Sequence, residues 1–309
     1  MLVEEECMHA DEEEGRREWA SSRGPIEDGV LDSLVVLVAE NLGYACRRVP
    51  GDVMLLEGAN RLHVSMKNLR QLARLVPRDD WPALVSDHIS TIVTAIEEPL
   101  DLTNFELAQH LLRTRIYPAE ADNGILAARP FAPGLIEAVV VDTPTTVRTV
   151  TIEEMEDWPV SGDALFVLGR ANVRSDGALQ AEEQELGDRV RVTVLHGWTF
   201  YAATHLAWLD EYLDIGPYGA LVVVPSRSLI AAYPIRARAY AREAAVRAAA
   251  AQLQAHAHQA YEEGPGSLSP HLFWWRGGSL TLLETRVSGD SLILPRDFVA
   301  SLTARTAEP

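Results

Sequence analysis

The sequence predicts an α+β fold, with mixed or mainly antiparallel sheets, several hairpins, and several packing helices that include one long Ala-rich C-terminal helix. Short apolar runs recur in pairs around turn residues, which is typical of hairpins. Stretches with helical apolar spacing lie between these pairs instead of after every strand. Because the strands come as hairpins and then helices, without strict βαβ alternation, this order favours α+β over a doubly wound parallel sheet.

The N-terminal region, residues 26–112, is predicted to hold helices around one hairpin. Its first helix is closed by Gly43, and its hairpin turns at residues 58–61. A later helix opens at Asp80, whose carboxylate can accept hydrogen bonds from free backbone N–H groups. The predicted elements are a helix over residues 28–42, strands over 53–56 and 62–66, a helix from Asp80, and a helix over 104–112.

The main α+β region is predicted to span residues 113–300 and to form one continuous domain with the preceding part, after a disordered acidic tail over residues 1–25. Residues 220–225 form an uninterrupted apolar run that is typical of a buried central strand. The long Ala-rich helix is predicted over residues 235–262. The other predicted strands cover residues 113–117, 125–131, 135–142, 147–151, 189–195, 229–233, 272–275 and 280–284, and the other helices cover 163–173 and 203–213.

Composition limits the classes of function that the chain can have. The net charge of −18 opposes binding to nucleic acid or anionic lipid, because contacts to phosphates need clustered positive charge. No apolar stretch is long enough to cross a membrane, and the N-terminus lacks the segments of a secretory signal, so we expect a cytoplasmic protein. The two cysteines, Cys7 and Cys46, argue against a disulfide framework and against a cysteine-based zinc site.

The familiar catalytic and cofactor motifs are missing from the sequence. The single lysine, Lys67, has no glycine-rich stretch before it, so a phosphate-binding P-loop is absent. The chain also lacks the G-x-G-x-x-G dinucleotide fingerprint and the G-x-S-x-G nucleophile elbow. His256 and His258 lie two positions apart, which on a helix directs them about 200° away from each other, so they cannot chelate one metal unless the helix is broken there. We therefore predict no metal and no cofactor.

Four polar residues at the ends of predicted strands and helices are candidates for a pocket, because pockets usually form at such positions. They are Arg115, Tyr117, Asn172 and Arg227. Arginine could hold a carboxylate or phosphate group, and tyrosine and asparagine could donate hydrogen bonds to it. The alternative is that Arg115 and Asn172 satisfy buried backbone groups. His196 and His205 bracket the aromatic residues 198–201, where a pocket histidine is an alternative to a buried structural one.

Arginines at the start of the long helix are candidates for anion binding. The cluster consists of Arg236, Arg238 and Arg242, with Arg247 further along the helix. Cations gain nothing from the helix dipole at this end, so the dipole does not explain them. An internal ion-pair network is one explanation, and an anion or carboxylate ligand near the helix start is the other.

Several short motifs occur in a fixed order along residues 49–286, before a long helix and a final hairpin. They are Arg115-Ile116-Tyr117-Pro118, Leu165-Phe166 with Ala171-Asn172, Tyr201-x-Ala203, and Gly219-x-Leu221-Val222-Val223-Val224-Pro225-x-x-x-Leu229. In this order the chain resembles the YtpQ-like family of uncharacterised bacterial proteins, which has a domain of unknown function. The chain has Ala220 where that family usually has Asp, and Ser228 where an acidic residue is common. The resemblance implies an architecture and carries over no reaction.

The acidic charge and the missing motifs together favour a non-enzymatic, cytosolic binding or interaction protein. Its partner is expected to be another protein, with a basic surface, and a small-molecule ligand is an alternative. Two further functions stay open. One is an enzyme of an unfamiliar type with a polar pocket of Arg, Tyr and Asn, and the other is an accessory or immunity protein for one cognate partner.

Overall fold

The computed structural model describes residues 25–50, 52–97, 102, 104–122, 124–143, 147–187, 190–197, 200–236, 239–288 and 291–303. The chain divides into two compact units, Met1–Leu100 and Asp101–Pro309, so the division lies before the boundary predicted after residue 112. The α+β class is confirmed, because both units combine helices with antiparallel sheets. The predicted tail, residues 1–25, lies outside the described residues except for Pro25. That both parts form one continuous domain stays a prediction.

The first unit packs its helices against a three-stranded antiparallel sheet. Its elements are α1 (Pro25–Asn41), β1 (Ala45–Val49), β2 (Val53–Glu57), β3 (Arg61–Ser65), α2 (Met66–Ala73) and α3 (Trp81–Glu97). The predicted hairpin is confirmed as β2 and β3. Strand β1 was not predicted, because its sequence, Ala-Cys-Arg-Arg-Val, has no apolar alternation and it pairs with β2 as an edge strand. The core of this unit joins Leu31 and Val35 of α1 to Leu56 of β2 and to Val85 and Ile89 of α3.

The second unit begins with a four-stranded antiparallel sheet and the helices around it. Its elements are α4 (Phe105–Leu111), β4 (Leu112–Pro118), β5 (Ala128–Ala132), β6 (Leu135–Asp142), β7 (Val147–Thr149), α5 (Ile152–Glu156) and α6 (Gly162–Ser175). Strand β6 is central, since it pairs with β4, β5 and β7. One face of this sheet is covered by α6, whose Leu165 and Phe166 pack in one cluster with Val139 and Val141 of β6.

A six-stranded antiparallel sheet forms the rest of the second unit. Its strands are β8 (Gln180–Leu186), β9 (Val190–His196), β10 (Ala220–Ser226), β11 (Leu229–Pro234), β12 (Leu272–Arg276) and β13 (Ser279–Leu282). They lie in the order β13-β12-β10-β11-β9-β8. The two predicted hairpins are confirmed as β10–β11 and β12–β13, and the apolar run in β10 is buried throughout. Strand β8 was not predicted, because it is a charged, exposed edge strand.

The long Ala-rich helix, α7 (Ala239–Glu263), covers one face of this sheet. Its Val246 and Leu253 pack in one cluster with Leu221 and Val223 of β10. The prediction placed its start at residue 235, where the chain is still outside the helix. A further hairpin and helix follow α7, so it is not the C-terminal helix that was predicted. They are β14 (Arg286–Ser288), β15 (Ser291–Ile293) and α8 (Arg296–Thr303).

The opposite face of the six-stranded sheet is covered by a 3₁₀ segment, Ala202–Glu211. Its Ala203, Leu206 and Leu209 pack in one cluster with Val222 and Val224. The prediction of an α-helix over residues 203–213 was therefore wrong. Most side chains of the segment are buried and Trp208 leaves helical geometry, at φ −137°, so packing overrides the helical spacing of the leucines.

Candidate anion-binding site

Arg115 lies in the middle of β4, opposite Ala138 of β6. Side chains alternate between the two faces of a strand, so Arg115 and Tyr117 share one face. Because the residue opposite is an alanine, the long Arg115 side chain has no bulky cross-strand neighbour. Arg115 is only 5% exposed, although it carries a permanent positive charge.

Aromatic rings surround the Arg115 guanidinium group and lead from it to a second arginine. The Cζ atom of Arg115 lies 5.4 Å from the ring centroid of Tyr117 and 5.9 Å from that of Phe200. The Cζ atom of Arg227 lies 5.7 Å from the same Phe200 ring. Both distances to Phe200 fall within the range of cation–π contacts. The predicted residues Arg115, Tyr117 and Arg227 are thus brought together around Phe200, which is itself 61% exposed.

The Arg115 guanidinium group lacks a counterion. Its Nε atom is buried and has no hydrogen-bond partner, and Arg115 forms no ion pair with any carboxylate in the part of the chain that the structure describes. A buried charge normally lies beside an opposite charge, because removing it from water costs several kcal/mol. The contacts with the aromatic rings recover only part of that cost, about 0.5–2 kcal/mol each. The Nε–H group of Arg115 is therefore a buried donor without an acceptor.

Arg227 is positioned by the turn between β10 and β11. Its backbone N–H donates to the carbonyl oxygen of Gly266 at 3.0 Å, and its own carbonyl oxygen accepts from the N–H of Ala203. Gly266 has φ +76°, and a Cβ atom there would collide with Nε of Arg227. A glycine at residue 266 therefore leaves the space across which the Arg227 side chain lies.

Two tyrosines next to Arg115 remain protonated at neutral pH. Burial raises the pKa of Tyr117, although the positive charge of Arg115 acts against this rise. Burial also raises the pKa of Tyr201, and the negative charge of the nearby Asp142 raises it further. Asp142 lies on β6 four positions beyond Ala138, on the same face of the sheet as Arg115. The group thus combines two guanidinium groups, two phenols and one carboxylate.

Asn172 lies outside this group of side chains. Its Nδ2 atom donates to the carbonyl oxygens of Gln109 and Leu112, at 2.9 and 2.8 Å. These carbonyls belong to the last turn of α4 and the start of β4, where no intrahelical donor is available. Asn172 therefore has the backbone-capping role that was the alternative to a pocket residue.

The arginines predicted for anion binding do not form one cluster. Arg236 donates to the carbonyl oxygen of Asp214, at 3.2 and 2.9 Å, and its Nη2 atom lies 3.6 Å from the Asp214 carboxylate. Arg247 pairs with Glu243 one turn earlier on α7, at 2.8 Å. Arg238 lies outside the described residues, and so does the side chain of Arg242. The ion-pair explanation therefore applies to Arg236 and Arg247.

The histidines beside the aromatic residues have other neighbours. His205 is buried, and its Nδ1 atom lies 2.6 Å from the Tyr212 hydroxyl and accepts from Nε1 of Trp208 at 3.2 Å. Burial, together with the positive charge of Arg174, lowers the pKa of His205 to about 4, so it is neutral at pH 7. His196 lies 3.4 Å from Glu182 on β8. Of the two, His205 has the properties of a structural histidine.

Phe200, Tyr201, Asp142 and Gly266 belong to the site although the sequence did not single them out for it. The aromatic run 198–201 was a usable signal for Phe200 and Tyr201, but the predicted candidates there were the flanking histidines. Asp142 meets the criterion used for the pocket candidates, since it is a polar residue at the end of a strand, whereas Arg115 lies in the middle of β4 and not at its end. Gly266 offers no signal, because only the position of Arg227 gives this glycine its role.

Comparison of the chain with family models, with curated proteins and with solved structures gives no match. The resemblance to the YtpQ-like family therefore stays a prediction. Within the described residues, no group of three or more His, Cys, Asp or Glu side chains is arranged to hold a metal ion. None of the helices there has both the length and the apolar character needed to cross a membrane.

Proposed function

We propose that this protein is a non-enzymatic, cytosolic binding protein that takes up an anionic group at the Arg115 site. The observation that carries the proposal is the buried Arg115 guanidinium group, which has an unpartnered Nε atom and no carboxylate of the described residues within ion-pair distance. An anion placed there would supply the missing counterion and accept the free N–H. The favourable charge pairing would then be present only in the complex, which is what a binding site requires.

The groups around Arg115 suit the recognition of a carboxylate or phosphate group. A guanidinium group can donate two parallel hydrogen bonds to such an anion. Arg227 adds a second positive charge, with its Cζ atom 5.7 Å from the centroid of the same Phe200 ring. The raised pKa of Tyr117 keeps its hydroxyl group protonated, so it can donate a hydrogen bond to the anion. These are binding and orienting groups, which supports binding over the alternative of an unfamiliar enzyme.

Calorimetric titration of the full chain with sodium acetate and with inorganic phosphate, at constant ionic strength, tests this proposal. We expect saturable binding of at least one anion to the wild-type chain, with a stoichiometry of one. The Arg115→Met variant keeps the volume of the side chain and removes its charge, so it should lose this binding. Arg236→Met removes an exposed arginine elsewhere in the same unit and is the matched control. Binding that survives Arg115→Met, or no binding to the wild-type chain, would contradict the proposal.

A protein partner with a basic surface is a second candidate function, and strand β8 favours it. This strand is the edge of the six-stranded sheet, and its residues from Gln180 to Glu185 are exposed. The edge leaves backbone groups unpaired, and its glutamates add negative charge, so an extended basic segment could pair with it. Changing Glu182, Glu183 and Glu185 together to Gln should abolish co-purification of such a partner from the host. Co-purification that is unaffected by the triple change would exclude β8.

A further inference from the structure

The geometry points to an aromatic monocarboxylate as the class of ligand that this site accepts, with its carboxylate at Arg115 and its ring against Phe200. This inference rests on the proposed function and makes it more specific. Three features of the site carry it: the balance of charge, the exposed ring of Phe200, and the short distance between that ring and the guanidinium groups.

The balance of charge favours a carboxylate over a phosphate. Arg115 and Arg227 bring two positive charges to the site, and Asp142 brings one negative charge. One positive charge remains, which a carboxylate neutralises. A phosphate monoester carries a charge of about −1.5 to −2 at neutral pH. It would place excess negative charge in a poorly hydrated site that already contains Asp142, and like charges there repel each other strongly.

The exposed ring of Phe200 favours an aromatic ligand. Phe200 is 61% exposed, while Arg115 beside it is 5% exposed. A large apolar ring at the edge of a buried charge offers a surface on which a second ring can pack in an offset or edge-on arrangement. The same packing removes water from Arg115, which strengthens the pairing of its charge with the carboxylate.

The distances allow one small ligand to contact both the Phe200 ring and a guanidinium group. The Cζ atoms of Arg115 and Arg227 are 5.9 and 5.7 Å from the centroid of Phe200. Packed aromatic rings have centroids about 4.5–7 Å apart. A ligand ring packed on the Phe200 edge nearest Arg115 would therefore lie within a few ångströms of the guanidinium group. A carboxylate attached directly to the ring, or through one carbon, could then reach Arg115.

A matched series of four anions tests the inference by calorimetric titration of the full chain: acetate, cyclohexanecarboxylate, benzoate and phenyl phosphate. We expect benzoate to bind roughly three- to ten-fold more tightly than cyclohexanecarboxylate, because only benzoate gains the contact between aromatic rings. Phenyl phosphate should bind more weakly than benzoate. Phe200→Leu should remove the preference for benzoate over cyclohexanecarboxylate. Leu107→Ala, at an exposed leucine on α4, should leave both that preference and acetate binding unchanged.

The outcomes separate this inference from the proposal beneath it. If none of the four anions binds, or if Arg115→Met binds them as the wild type does, the anion site itself is refuted. If the anions bind and depend on Arg115, but phenyl phosphate binds at least as tightly as benzoate, the ligand is not a monocarboxylate. If benzoate has no advantage over cyclohexanecarboxylate, or keeps it in Phe200→Leu, the ring of Phe200 does not select the ligand. The last two results overturn the inference and leave the anion site standing.

Discussion

Among the described residues, each of the two units contains one buried arginine, and the two arginines have opposite surroundings. Arg70 of the first unit is 7% exposed and Arg115 of the second is 5% exposed. The Nη2 atom of Arg70 lies 2.6 Å from Asp32 and 3.1 Å from Asp52, and its Nη1 atom lies 3.2 Å from Asp28. Arg115 has no carboxylate in ion-pair range among the described residues. Burial alone therefore does not distinguish a binding arginine from a structural one, and the missing counterion is what makes Arg115 the candidate.

The Arg70 network arises from local features of the first unit. Asp28 and Asp32 lie one turn apart on α1 and so share a face. Asp52, in the turn between β1 and β2, has φ +56°, and its backbone carbonyl oxygen accepts from the N–H of Met66. Burial acts to lower the pKa of Arg70, but its hydrogen bonds to Asp52 and Asp32 outweigh this and raise it. The network connects three elements of the chain, which is a structural role.

The largest expected effect follows from removing the paired arginine. Arg70→Met removes the buried cation between three carboxylates and leaves Asp32 and Asp52 only the exposed Arg48, at 3.1 and 3.5 Å. Breaking a buried ion pair on one side typically costs about 3–5 kcal/mol. We expect the free energy of unfolding of the first unit to fall by about that amount in a urea titration. Arg61→Met, which removes an exposed arginine 3.6 Å from Glu57, is the control and should cost less than about 1 kcal/mol. If the two variants lose the same unfolding free energy, the Arg70 ion pairs do not stabilise the first unit more than an exposed ion pair does.

Gly266→Ala should separate the geometry of the anion site from the strain of the backbone. At φ +76° an alanine costs about 1–2 kcal/mol, and its Cβ atom would also displace the Arg227 side chain. The matched control is Gly134→Ala, because Gly134 has φ +78° but open space around the added Cβ atom. Both variants should lose similar stability in thermal unfolding, and only Gly266→Ala should weaken acetate binding. If the two variants bind acetate equally tightly, Arg227 does not contribute to the anion site.

Arg115→Met should change stability in the opposite direction from Arg70→Met. Replacement of buried charged residues by apolar ones of similar volume often stabilises a protein, and Arg115 has no ion pair to lose. We expect the unfolding free energy of the ligand-free chain to rise by about 1–2 kcal/mol, measured by chemical denaturation. Saturating acetate should then stabilise the wild-type chain and leave the variant unchanged. A large loss of stability in Arg115→Met would instead make Arg115 a structural residue like Arg70.

The sequence predicts the hairpins better than it predicts the site. The β12–β13 hairpin is encoded locally, since Gly277 and Gly278 supply the positive φ that its turn needs. Strands β1 and β8 carry no such signal, because polar edge strands acquire their conformation from the strand beside them. The anion site depends both on local sequence and on contacts between distant segments. Alternation along β4 places Arg115 and Tyr117 on one face, but the contact of Arg115 with Phe200 joins segments more than eighty residues apart in sequence.

The counterions of a buried arginine are also invisible in the sequence. Nothing in the residues next to Arg70 or Arg115 shows that one will meet three aspartates and the other none. Glu137 shows that the register of the strands decides which arginine has a counterion. It is fully buried and lies 2.8 Å from Arg129 and 2.6 Å from Arg170. Glu137 pairs with Ile116 and so points to the face opposite Arg115. A shift of one residue in the register would have given Arg115 that partner.

Asn172→Ala is expected to have the smallest effect, and it tests whether the site ends where the contacts indicate. The variant removes the Nδ2 donor shared by the carbonyl oxygens of Gln109 and Leu112. We expect a loss of about 1 kcal/mol in the unfolding free energy, because each hydrogen bond contributes modestly and water can replace part of it. Acetate binding should be unchanged, measured in the same titration. A loss of binding as well as stability would mean that the junction of α4 and β4 sets the position of Arg115, and the structural and binding roles would no longer be separate.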